Sequence, residues 1–148
     1  RDTPLEIYHG VPPGWSQAEV VAEYKSLDGK DLFSTYKVTE PGAPSWLPDR
    51  SNWLQYREAI RTICELVHKG DSAAIELAVR YIELNYFGSY SGFLRARLAR
   101  ALKNAALSQS QVARLLSHFA ALIDAGECFE EFREYNKLRN KFGSSNNA

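Results

Sequence analysis

The sequence predicts an all-α fold: about five antiparallel helices in a bundle or a HEAT-like stack, preceded by an irregular proline-rich arm with one short helix. All six prolines lie within residues 1–50, where they interrupt any long periodic element. Residues 51–142 contain no proline and carry apolar side chains at helical spacing. We therefore divide the chain into an arm (1–50) packed on the core, one helical domain (51–142) and a disordered tail (143–148).

Length, charge and hydropathy exclude several classes of protein. The 148 residues suit a single domain, and 18 basic and 18 acidic side chains cancel. A neutral chain has no general attraction for nucleic acid or membranes. The sequence also contains no run of about eighteen apolar residues, the length needed to span a bilayer. We expect a soluble, cytoplasmic protein. Cys64 and Cys128 are predicted to be free core residues, and the alternative is a disulfide between the first and last long helices.

The arm contains one element with a clear start signal. Ser16-Gln17-Ala18-Glu19 matches the capping box, in which Ser16 and Glu19 each satisfy a free backbone donor of the other. This favours a short helix over about 17–27. The competing interpretation is a hairpin that turns at Asp28-Gly29 and uses Leu32 to Val38 as its second strand.

Two helices follow, separated by Gly70 and by Asp71, a favoured N-cap residue. The first runs from about 52 to 69. Its predicted core face carries Trp53, Tyr56, Ile60, Ile63, Cys64 and Val67. On the second, about 71–87, only a narrow stripe is polar: Glu76, Arg80 and Glu83. Because the rest of its circumference is apolar, this helix is predicted to be buried at the centre, with Glu76 and Arg80 spaced to pair.

Three further helices complete the predicted domain. The third ends near 104, with a core face of Leu94, Leu98, Ala101, Leu102 and Ala105. The fourth begins at a second capping box (Ser108 with Gln111) and runs to Ala125 before Gly126. Its apolar face holds Val112, Leu115, Leu116, Phe119, Leu122 and Ile123. The fifth, about 127–141, uses Phe129, Phe132, Tyr135 and Leu138, while Glu130, Glu131 and Glu134 interleave with Arg133 and Lys137 as a solvated face.

Most signatures of catalysis and of cofactor binding are missing from the sequence. The three histidines (His9, His68 and His118) have no ligands at metal-site spacing, and the latter two fall on polar helix faces. Residues 88–92 fail as a nucleophile elbow because Tyr90 stands where serine is required. Residues 107–116 resemble the opening helix of a helix-turn-helix, but the apolar pattern continues through Ile123 without a turn. We predict no metal and no cofactor.

One stretch has an uneven charge. No acidic residue occurs between Glu83 and Asp124, whereas five basic residues do: Arg95, Arg97, Arg100, Lys103 and Arg114. The four on the third helix are predicted to fan across the face opposite its leucines, beside Phe93. A helix N-terminus attracts anions, and arginines bind carboxylates or phosphates. The predicted binding site comprises Tyr90, Phe93, Arg95, Arg97, Arg100 and Lys103.

Three functions are compatible with this pattern. The first is a non-enzymatic interaction domain, such as an adaptor, inhibitor or antitoxin-like partner, that binds a protein through the basic and aromatic surface, which suits an acidic partner. The second is an enzyme or ligand-binding domain with a site between arm and helices, lined by Tyr8, His9, Trp15, Trp46 and Trp53. The third, nucleic-acid or phosphate binding by residues 87–103, is disfavoured by the neutral net charge. The basic face can also be neutralised within the chain, by the acidic first and last helices and the arm. The sequence leaves the oligomeric state open.

Overall fold

Six helices account for most of the described chain. The structure, a computed structural model, describes residues 11–28, 50–86 and 91–147. In chain order the helices are α1 (Gln17–Asp28), α2 (Arg50–His68), α3 (Ser72–Leu84), α4 (Ser91–Leu102), α5 (Gln109–Ala125) and α6 (Phe132–Asn147). No strand occurs in these three segments. The all-α prediction is confirmed.

The N-terminal helix starts at the predicted capping box. The Glu19 N–H donates to Ser16 Oγ at 3.3 Å, and the Ser16 N–H donates to Glu19 Oε1 at 3.2 Å. The hairpin interpretation is therefore wrong for this segment; Leu32 to Val38 lies outside the described residues. Tyr24, on the inner face of α1, is buried.

The first two long helices end and begin as predicted. Gly70 adopts a left-handed backbone (φ +81°) after α2, and Asp71 Oδ1 accepts the N–H groups of Ala73 and Ala74 at the start of α3. α3 ends at Leu84, three residues before the predicted end, because Asn85 takes a left-handed conformation (φ 54°). The predicted core face of α2 is buried in full.

The helix α3 lies at the centre of the bundle, as predicted. It packs against four of the other five helices: α1, α2, α4 and α5. Eight of its thirteen residues are buried: Ala73, Ala74, Ile75, Leu77, Ala78, Val79, Tyr81 and Ile82. Its polar stripe carries the expected pair, in which Arg80 Nε donates to Glu76 Oε2 at 2.7 Å.

The helix α5 is a single unbroken element bounded by its predicted caps. The Gln111 N–H donates to Ser108 Oγ at 3.1 Å and the Ser108 N–H to Gln111 Oε1 at 3.0 Å, which confirms the capping box. Gly126 ends the helix in a left-handed conformation. The assignment of Ile123 to the apolar face is wrong, since it is 42% exposed. α5 packs only on α3 and α6 within the described chain, so part of its surface lacks a cover.

The last helix differs from the prediction at both ends. It begins at Phe132 instead of about 127, so Phe129 precedes it and is 52% exposed rather than part of its core face. It also continues to Asn147, where the sequence predicts a disordered tail from residue 143. Once a helix is nucleated, each added residue gains a hydrogen bond, which extends it through weak helix formers beyond the buried Phe142.

The described part of the arm lies on the helical core. The Trp15 ring packs edge-on against Tyr81 with 5.2 Å between centroids. The remainder of the arm, residues 1–10 and 29–49, lies outside the described residues. Both cysteines are free, so the disulfide alternative is wrong, and Cys128 is exposed instead of buried. Within the segments described, none of the helices has the length and hydropathy needed to cross a membrane.

Candidate functional site

The predicted basic face of α4 is not a single surface. The expectation that Arg95 lies opposite the leucines is wrong, because its side chain is only 2% exposed. At 100° per residue Arg95 lies about 20° from Leu102 around the helix, on the buried side. The prediction followed the charge of Arg95, which favours an exposed position. Its angular position on the helix indicates a buried one.

Two buried carboxylates, one just before α6 and one on it, neutralise two of the arginines of α4. Arg95 Nη2 donates to Glu131 Oε2 at 2.8 Å, and Arg95 Nη1 donates to the backbone oxygen of Tyr86. Arg100 Nη2 donates to Glu134 Oε2 at 3.2 Å. The predicted solvated face is therefore wrong at Glu131 and Glu134, which are 6% and 5% exposed. The positive charges of Arg95 and Arg100 are therefore neutralised by carboxylates of the same chain.

Sequence spacing contains a signal for these buried acids. Glu131 precedes Tyr135, Leu138 and Phe142 by four, seven and eleven residues, which places all four on one helical stripe. The three later residues are buried. A carboxylate on a buried stripe needs a cation, and the acid-free segment supplies it. Although burial opposes ionisation, the hydrogen bond from Arg100 and the nearby positive charges lower the pKa of Glu134 below its usual value.

Buried phenols adjoin the Arg95–Glu131 pair. The hydroxyls of Tyr56 and Tyr81 are hydrogen-bonded to each other, and Tyr135 is likewise fully buried. Burial raises the pKa of all three phenols. All three consequently remain protonated at neutral pH, and the hydroxyls of Tyr56 and Tyr81 act as hydrogen-bonding groups rather than as bases. This cluster stabilises the interior and is not open to a substrate.

The histidine on α5 is also more buried than predicted. His118 is half-buried, with its ring 6.0 Å from Phe119 and 6.4 Å from Tyr135 between centroids. Its Nε2 is shielded and has no hydrogen-bond partner among the described residues. Burial lowers the pKa of His118, which favours the neutral ring. His68, by contrast, is exposed as predicted.

A groove of about 420 Å³ lies between α4 and the start of α6. Its walls combine apolar and charged side chains: Gly92, Phe93, Ala96, Arg100, Glu130, Glu131, Arg133 and Glu134. Phe93 is 54% exposed, and Arg97 Cζ lies 5.7 Å from its ring centroid in a cation–π contact. We call this region, with Phe93 and Arg97 at its edge, the α4–α6 groove.

The other two predicted site residues do not join the groove. Lys103 lines a separate crevice at the opposite end of α4, together with Lys141. Tyr90 lies outside the described residues. Of the six predicted residues, three lie at the groove: Phe93, Arg97 and Arg100. Arg95 is buried, Lys103 lines the other crevice, and Tyr90 has no described position.

The seam between arm and helices, the alternative site, is largely filled where it is described. Trp53 is 5% exposed, and Trp15 packs on Tyr81. A crevice of about 210 Å³ remains beside Trp15, at whose rim Arg80 pairs with Glu23 at 3.1 Å. Tyr8, His9 and Trp46 lie outside the described residues. Across the described ranges no three His, Cys, Asp or Glu side chains are grouped to hold a metal ion.

Comparisons of this chain with protein-family models, with curated proteins and with solved structures gave no match.

Proposed function

We propose that the protein is a non-enzymatic interaction domain whose α4–α6 groove binds an acidic segment of another protein. The observation that carries this proposal is the exposure of Phe93, 54%, at the edge of an open groove of about 420 Å³. Large aromatic side chains are mostly buried in a stable fold, and those left exposed beside a cavity are typical of recognition surfaces.

The charges around Phe93 determine which partner fits. Arg97 stacks on the ring, and its guanidinium retains donors that can meet a carboxylate. Arg133, which is exposed, contributes a second guanidinium on the opposite wall. The acids Glu131 and Glu134 are held by arginines of α4. Among the described residues, Glu130 is therefore the one lining carboxylate without an ion pair, and the guanidinium groups of Arg97 and Arg133 oppose it. A partner segment with an apolar side chain next to Asp or Glu satisfies both features.

Peptide display on the intact chain tests the proposal. We expect selection from a random peptide library to enrich sequences in which an aromatic or aliphatic residue adjoins an acidic one. A synthetic peptide of that type should lose about tenfold or more in affinity with Phe93→Ala, because aromatic anchors contribute about 1–2 kcal/mol or more to protein interfaces. Arg97→Glu should have a similar effect, measured by fluorescence anisotropy.

Lys25→Glu is the matched control. Lys25 is exposed on α1, and α1 contacts neither α4 nor α6 within the described chain. Binding to this variant should stay within about twofold of the parent, since distant surface charges are screened by salt. Failure to enrich any such peptide, or equal affinity for the parent and Phe93→Ala, would contradict the proposal.

The other functions have weaker support. Of the five basic side chains in the acid-free segment, Arg95, Arg100 and Arg114 bind carboxylates of the same chain. Fewer cations therefore remain to contact phosphates, and phosphate contacts provide most of the affinity for nucleic acid. The filled seam at Trp15 and Trp53 likewise does not favour a substrate site between arm and helices.

A further inference from the structure

A second crevice, of about 230 Å³, lies where the C-terminal end of α4 meets α5 and α6. Seven residues line it, five of which are apolar: Leu102, Lys103, Ala105, Leu107, Val112, Lys141 and Phe142. Leu102 and Phe142 belong to the buried core. Ala105, Leu107 and Val112 are half-buried, so they leave apolar surface in contact with solvent.

The size of the crevice suits a short hydrocarbon chain. An apolar cavity of about 150 Å³ in a protein is large enough to take up benzene. This crevice is half as large again and open to solvent, so it can hold a flexible alkyl chain of about six to eight carbons. Removing such a chain from water, together with the exposed parts of Leu107 and Val112, is the driving force for occupation.

Among the described residues, the only charged side chains that line the crevice are those of Lys103 and Lys141. Lys103 and Lys141 form no ion pair with any carboxylate of the described residues. Lys141 Nζ donates to the backbone oxygen of Lys103, which leaves two of its three N–H donors for another acceptor. The positive charge of Lys103 helps to lower the pKa of the nearby Glu134, but the Glu134 carboxylate pairs with Arg100 and Lys137 instead. The crevice therefore joins an apolar wall to unneutralised positive charge.

We propose that this crevice binds a medium-chain alkyl monocarboxylate. The carboxylate meets the ammonium groups of Lys103 and Lys141, and the alkyl chain lies against Leu107, Val112 and Phe142. The site is at the opposite end of α4 from the α4–α6 groove, so it is independent of the proposed peptide binding.

A series of straight-chain carboxylates tests the apolar part of the proposal. Titrating the intact chain with butanoate, hexanoate and octanoate should show affinity rising about fourfold for each added methylene, the factor expected for its burial. Isothermal calorimetry gives the affinities, and shifts of the Leu107 and Val112 methyl resonances locate the ligand. The absence of binding by octanoate up to about 10 mM would overturn the proposal.

Substitution of the two lysines tests the charged part. Lys103→Gln with Lys141→Gln should weaken octanoate about tenfold and leave binding of 1-octanol unchanged, because only the carboxylate needs the ammonium groups. Lys25→Gln, on α1, is the matched control and should leave both ligands unaffected. Both lysine sites lie at the surface, so the fold should persist, which circular dichroism checks. Equal affinity of octanoate for the parent and the double variant would overturn the proposal.

Discussion

Arg95 on α4 and Glu131 before α6 form an ion pair of 2.8 Å in which both side chains are almost wholly buried. They are 36 residues apart in the chain and join the two helices across the interior. Breaking such a pair leaves one uncompensated charge in a medium of low polarity, whereas removing both charges does not. The stability of the contact between α4 and α6 therefore depends on Arg95 and Glu131 together, and removing either one alone is costly.

This dependence predicts a strongly non-additive double-mutant cycle. Arg95→Met and Glu131→Leu should each lower the free energy of unfolding, Arg95→Met by about 3–5 kcal/mol. The double variant Arg95→Met with Glu131→Leu should recover most of that loss, because two apolar side chains of similar size replace the pair. Urea denaturation measures all three. A loss below about 1 kcal/mol for Arg95→Met would show that the buried charge is compensated elsewhere.

A second prediction concerns Arg114, which joins α5 to α3. Its Nη2 lies 2.6 Å from Glu83 Oε1 and its Nη1 lies 3.1 Å from Glu76 Oε1. A guanidinium shared by two carboxylates in a part-buried network should contribute more than an isolated surface pair. We expect Arg114→Met to lower the free energy of unfolding by about 1–2 kcal/mol at low salt and less at high salt.

The matched control for Arg114 is Arg61, whose only ion pair among the described residues is a contact of 3.9 Å with Glu58 on the surface of α2. Arg61→Gln should change the free energy of unfolding by less than about 0.5 kcal/mol, as is usual for exposed pairs. Equal losses for the two variants would mean that the network adds nothing to the pairwise contacts.

A third prediction is a loss of stability in mild acid caused by His118. Burial lowers the pKa of the ring, Glu83 raises it and Arg95 lowers it, and the balance is a lowered pKa. The unfolded chain then binds more protons, so this contribution is complete above about pH 6.5 and declines as the pH falls below it. Because one proton is involved, the free energy of unfolding falls by at most about 1.4 kcal/mol per pH unit.

Urea denaturation between pH 7 and pH 5 measures the effect of His118. This window avoids titration of Glu76 and Glu134, whose lowered pKa values place their own contributions at more acidic pH. His118→Gln should flatten the decline, and Ser117→Gln, at the exposed neighbouring position, should retain it. A decline that persists unchanged in His118→Gln would assign it to another group.

A fourth prediction concerns Asp71, whose two carboxylate oxygens have separate tasks. Oδ1 accepts two N–H groups at the start of α3, and Oδ2 accepts the hydroxyl of Tyr24 from α1. Asp71→Ala should lower the free energy of unfolding by about 1–2 kcal/mol. Asp71→Ser should retain the helix cap but not the bond to Tyr24, so it should lose only part of that free energy. Thermal unfolding distinguishes these variants, and an unchanged midpoint for Asp71→Ala would refute the assigned role.

A fifth prediction follows from the two free thiols. Cys64 is buried, its Sγ donates to the backbone oxygen of Arg97 at 3.7 Å, and burial raises its pKa; Cys128 is exposed. A thiol-reactive aromatic disulfide should modify one cysteine rapidly in the folded protein and the second only after unfolding. Cys128→Ser should abolish the rapid phase, and two rapid phases in the parent chain would contradict the burial of Cys64.

Local signals in the sequence determined the helices and most of their ends. The capping boxes at Ser16 and Ser108, the N-cap at Asp71 and the left-handed glycines at Gly70 and Gly126 act within a few residues. They can therefore be found without knowing the neighbours. The central place of α3 was also predictable, because a helix with so narrow a polar stripe must be covered on several sides.

Only the tertiary structure decided which charges pair with each other. The helical positions of Arg95 and Glu131 indicate burial, but their pairing results from the contact between α4 and α6. His118 is half-buried for a similar reason, since the rings of Phe119 and Tyr135 lie beside it. The division of the predicted basic face, between a groove at Phe93 and a crevice at the other end of α4, depends on how α6 crosses α4. Helix packing sets that crossing through residues distant in sequence, which local patterns do not encode.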